Sequence, residues 1–233
     1  DVIYVMPGHA ESVVGAAGIA QDIAGVQIIG LGTGRNKPVV TFTTAAGASW
    51  DITAANCLIE NVVLVCNIDD QTAMLNVTAA DVTVRKCEFS MGDATYDAEC
   101  GILAGAGGDR LIIENCHLFS TSTTAITGGA ISCGATDNTI IRDCVIFGYF
   151  ATAGNIANTA AAANFNVIGC TLTNLTADGN NKNIVLHAST TGLIARNNLA
   201  CIDSMSPAPI TAAAGFVACN YSSSAAGVTA STL

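Results

Sequence analysis

Apolar and polar residues alternate in short runs along most of the chain, as in Val82, Val84, Cys87 and Phe89 and again in Leu111, Ile113, Cys116 and Leu118. A period of two puts successive side chains on opposite faces, and the β-branched content of these runs predicts strands. The runs are introduced by a recurring marker, two small residues and then Asn, Asp or Gly. The markers are Gly25, Asn56, Asp81, Asp109, Asp137, Asn164, Gly192 and Gly215, separated by 31, 25, 28, 28, 27, 28 and 23 residues. An interval of about 27 residues is one solenoid coil of three short strands and three turns. A second column, Val62, Cys87, Cys116, Cys144, Cys170 and Asn197, follows its marker by 5 to 7 residues and keeps step with it.

The pattern predicts an all-β fold, a right-handed parallel β-helix of three sheets. The hand is transferred from the general chirality of parallel crossovers. Leucine-rich repeats have similar periods, but the LxxLxLxxN pattern is missing. Asn and Asp suit the bends because they tolerate left-handed backbone, and stacked in register they can form a ladder. The opening DVIYVMPG reads as a strand ended by Pro7 and Gly8, and ESVVGAAGIAQDIA as a short capping helix weakened by Gly15 and Gly18. The expected organisation is an N-terminal strand and cap over 1–24, coils over 25–215, and a last partial coil with an Ala/Ser/Thr-rich tail over 216–233.

Composition narrows the function. Hydrophobic residues make up 51% of the 233, against 11% charged and 5% aromatic, which excludes a disordered chain and leaves little charge for helical faces. With 8 Lys+Arg against 18 Asp+Glu and a net charge of −10, no basic stripe exists for a nucleic acid. The richest apolar stretch, Cys57 to Cys66, is interrupted by Glu60 and Asn61, so no transmembrane helix and no membrane partner are expected.

Candidate chemistry is sparse. Of the ten cysteines, Cys87, Cys116, Cys144 and Cys170 share one column, which predicts reduced, buried, stacked thiols. Inter-coil disulfides are the rival reading; zinc is disfavoured because there is no CxxC and a line of thiols does not converge on a tetrahedral centre. Asp69 and Asp70 share one turn, and Asp93, Asp97 and Glu99 cluster in the next. These carboxylates are the candidates for glycan cleavage, but their spacing fixes no useful separation. Trp50 is the only Trp, too little for an aromatic sugar platform, and Arg85, Arg110, Arg142 and Arg196 fall one per coil. His9, His117 and His187 fall in different coils or the cap, and GLGTGRNKP lacks the ending of a phosphate loop. No catalytic, cofactor-binding or metal set is assigned, and the balance leans away from an enzyme.

DVIYVMPGHAESV followed by AGVQIIGLGTGRNKPVVTF, with the later ENC- and RDC-like strands, resembles the right-handed β-helix proteins of tailed-bacteriophage virions. The resemblance implies a non-enzymatic structural component of the particle, a capsid decoration or cement protein assembled as a homotrimer in the host cytoplasm. Its partners would be itself and other virion proteins. A tailspike-like protein that binds or cleaves glycans is the alternative, weakened here by the absence of an obvious acidic set and of a long C-terminal trimerisation domain.

Overall fold

The computed structural model describes residues 1–151, 153–176, 182–201, 210–211, 216–218, 220–224 and 227–231. They form a right-handed parallel β-solenoid with three sheets of nine, ten and eight strands. Every third strand belongs to the same sheet. The first sheet runs from Val2–Val5 through Gln27–Gly30, Leu58–Glu60 and Thr83–Arg85 to Phe216–Ala218, the second begins at Ala10–Val13 and the third at Ile19–Gln21. Among the described strands pairing is parallel except at the far end of the second sheet, where Gly227–Ser231 turns back antiparallel on Asn220–Ser224.

Two bends per coil adopt left-handed backbone. Asn56, Asp81, Arg110, Asn138 and Asn164 have φ between 57° and 60° just before strands of the first sheet. Asn61, Lys86, Asn115, Asp143, Gly169 and Arg196 turn the chain from the first sheet into the second, spaced 25, 29, 28, 26 and 27 residues apart. Each N–H of this second series donates to a carbonyl of the next coil, as from Asn61 to Arg85 and from Lys86 to Glu114, both 3.1 Å. The predicted markers do lie at one corner, but Asp109 and Asp137 sit one residue early: Arg110 and Asn138 carry the strained backbone. The Asp109 and Asp137 carboxylates instead accept from the N–H groups of Asp137 and Ala163, at 2.8 and 2.7 Å. Gly215 lies outside the described residues.

The core is a set of stacked columns. Ile59, Val84, Ile113, Ile141 and Val167 repeat in register on the first sheet, and Leu64, Phe89, Leu118, Ile146 and Leu172 on the second, all buried. Full burial of such a side chain stabilises by about 1.5–3 kcal/mol, so each coil is held chiefly by its inward residues and its neighbours.

The expected capping helix is absent. Residues 10–24 instead form the strands Ala10–Val13 and Ile19–Gln21, with a turn at Gly15 and Gly18 whose N–H and carbonyl meet at 3.1 Å. The glycines weaken the helix, and in-register partners Val39–Phe42 and Trp50–Ile52 reward strands. The segment therefore does not cover the N-terminal end. Glu11 occupies the inward position held by Val40 and Leu64 in the next two coils, and a cleft of about 270 Å³ opens beside Ile3, Val13, Ile28 and Trp50.

Candidate functional site

The corner between the second and third sheets carries the longest loops and the acidic candidates. The loop after Val63–Cys66 holds Asp69 and Asp70, and the loop one coil on holds Asp93, Asp97 and Glu99. Parallel bridging of Gln71 with Ala98 fixes these loops side by side, with the Gln71 N–H on the Asp97 carbonyl at 2.9 Å and the Glu99 N–H on the Gln71 carbonyl at 2.7 Å. Asp69, Asp70 and Asp97 are thereby brought together, one carboxylate oxygen of each within 4.8 Å of the others. The Asp70 N–H donates to Asp97 Oδ1 at 3.1 Å.

Asp93 is not part of this trio. Its Oδ1 accepts from the N–H groups of Thr95 (2.7 Å) and Tyr96 (3.0 Å), a turn that holds its carboxyl below the usual aspartate range. Glu99 lines a groove of about 90 Å³ with Asp70, Asp97, Thr124 and Thr127. Three carboxylates supply part of the six to eight oxygens that Ca²⁺ takes. For glycoside hydrolysis one carboxyl must keep a proton in an apolar surround; Asp69 and Asp70 are open to solvent.

The first and second sheets face outward differently. On the first, Glu60, Arg85, Glu114 and Arg142 stack in one column with alternating charge. Glu60 accepts from Arg85 at 2.7 Å and from Lys86 at 2.8 Å, and Arg142 pairs with Glu114. On the second, the outward residues include Val63, Val65, His117, Phe119, Val145 and Phe147, and Glu88 is the one carboxylate among the described outward positions from Val39 to Ala200. Lys37 Nζ meets Glu88 at 2.7 Å, and the His117 and Phe119 rings lie 5.0 Å apart. Val145 and Phe147 remain 44% and 39% exposed. In the sequence this face is the set of apolar residues out of phase with inward Leu118 and Ile146, a signal that acids and thiols do not carry.

The remaining candidates do not converge. His9 pairs with Glu11 at 3.6 Å on the first coil, His117 is mid-sheet, and His187 Nδ1 accepts from the Ser189 N–H at a corner of a later coil. Gly34–Asn36 form a short 3-10 turn within the second coil, between Gln27–Gly30 and Val39–Phe42, and not a turn between coils. The nine described cysteines are all buried, and the eight from Cys57 to Cys170 are free thiols. No family model, curated protein or solved structure matches this chain.

Proposed function

We propose that the protein is a non-enzymatic structural component of a tailed-phage virion, a capsid decoration or cement protein that assembles as a homotrimer. The outward face of the second sheet is the observation that carries this reading. Phe119, Val145 and Phe147 form an apolar strip over two adjacent coils, with Val63 and Val65 two coils back beyond Glu88 and Ser90, whereas the neighbouring sheet is armoured with paired charges. Such a strip is a contact surface rather than a solvated face. Burial against identical copies in a closed ring removes it from water without open-ended growth. Reduced, buried thiols accord with assembly in the host cytoplasm, and the resemblance of the opening segment points to the particle.

The trio of Asp69, Asp70 and Asp97 beside its groove supports a second reading, a glycan-binding or glycan-cleaving spike. Light scattering separates the two. The purified chain should weigh three copies at micromolar concentration, and Phe147→Glu should lower that toward one copy with the coils intact. A stable monomer that also sits isolated on particles overturns the structural reading, and release of sugars from host polysaccharide, lost in Asp97→Asn, establishes the other.

A further inference from the structure

The column Cys87, Cys116, Cys144 and Cys170 has a chemistry that a purely structural role leaves unused. Pairing of Arg85 with Glu114 and of Glu88 with His117 sets Cys87 opposite Cys116, and the next two coils repeat the alignment. Every thiol makes the same two contacts. Cys116 donates to the Glu114 carbonyl at 3.4 Å and the Val84 carbonyl at 3.6 Å. Cys144 does so to Arg142 at 3.3 Å and Ile113 at 3.8 Å, and Cys170 to Ile168 at 3.6 Å and Ile141 at 3.8 Å. Identical contacts mean identical rotamers, so the sulfurs repeat along a line at the coil spacing of about 4.8 Å.

That spacing discriminates between the things thiols do. A disulfide needs the β-carbons within about 3.5–4.5 Å and the sulfurs at about 2.05 Å, so coils would have to close up and one rotamer change. Tetrahedral zinc needs four convergent donors, and a line offers two to any point between its members. Two collinear bonds of roughly the zinc–sulfur length, about 2.3 Å, span about 4.6 Å, close to the spacing of neighbouring coils.

We propose that adjacent thiols of this column bind soft monovalent cations of the Cu⁺ or Ag⁺ type, one ion between Cys87 and Cys116 and one between Cys144 and Cys170. Each ion replaces one thiol proton, which leaves to solvent, so one sulfur binds as thiolate and its neighbour as thiol, and no electrons are exchanged. The column stays neutral, as its burial requires. Soft sulfur donors in a dry core select such ions over hard cations. Val62 and Asn197 bound the run in register, so it offers two such pairs. The inference is independent of the virion reading.

Ag⁺ is the probe, added to the reduced intact protein and, in a parallel sample, present while the chain refolds. Native mass spectrometry should show one ion fewer in Cys116→Ser than in the wild type and two fewer when Cys144→Ser is added. X-ray absorption should find two sulfurs around each ladder ion. Cys100→Ala is the control and should keep both ladder ions. Uptake unchanged in the double variant, three or four sulfurs per ion, or no uptake by either route would overturn the proposal. If a variant fails to fold, the sulfur count in the wild type still decides.

Discussion

Asn197 does for its coil what the Cys170 thiol does for the coil before. The Cys170 thiol donates to the Ile141 carbonyl, and the Asn197 amide donates to the equivalent Val167 carbonyl at 3.0 Å. Asn197 Oδ1 also accepts from the Cys170 N–H at 2.8 Å, and Asn220 repeats the arrangement one coil on through Ile194. The column thus changes chemistry without changing its task, which is to donate to a mid-strand carbonyl of the coil before.

Asn197→Ala should therefore cost about 1–3 kcal/mol, because it strands the buried Cys170 N–H and removes the amide's bond to the Val167 carbonyl. Asn197→Cys restores a weak donor and a sulfur acceptor for the Cys170 N–H, as the Cys144 and Cys170 sulfurs accept from the coil before, and should cost about half as much. Denaturant unfolding of the two variants beside wild type measures both.

Acid should weaken the first sheet. Burial opposes the charge of Glu60, and the hydrogen bonds from Lys86 and Arg85 outweigh it, leaving the carboxyl below its usual 4.5. A carboxyl depressed by folding adds stability that is complete above the unfolded value and fades as pH falls through the folded one. Stability should drop below about pH 4.5, and Glu60→Gln should flatten that decline. Unfolding midpoints between about pH 3 and 6 test it.

Native thiols should resist alkylation. Burial pushes the Cys66 and Cys201 thiols up to about 11 and those of Cys100 and Cys133 to about 12. The reactive species is the thiolate, so labelling should wait for local opening of the coils. Mass spectrometry after a short iodoacetamide pulse should find the described cysteines largely unmodified in the native chain and fully modified in denaturant.

Gly192 should be irreplaceable. Its φ is +149°, and a β-carbon there would lie 1.9 Å from the Phe165 carbonyl oxygen. Gly192→Ala should destabilise by about 2–4 kcal/mol, whereas Gly15→Ala, with nothing within 4 Å, should be close to neutral. Thermal melts of the two variants give the contrast.

Period and class were legible because alternation and turn chemistry repeat in every coil. The marker register slipped at Asp109 because Arg110 gives no chemical sign of left-handed backbone, and at Asp137 because it and Asn138 stand side by side and either suits the bend. The helix expected in ESVVGAAGIAQDIA failed because local propensity cannot see the strands waiting alongside. Likewise, Asp69, Asp70 and Asp97 stood out as acids, but their approach depends on the Gln71–Ala98 bridge, a contact across 27 residues that spacing alone does not set.

The turn from the first sheet to the second takes two residues in each of six consecutive coils from Asn61 to Asn197, while the next connection ranges from seven residues to eleven. One corner therefore keeps the pitch, and the other takes the largest insertions. Foreign peptide grafted near Thr123 would lengthen an already variable connection and leave the strand alignment untouched, so copies side by side would present such grafts at regular intervals along one edge.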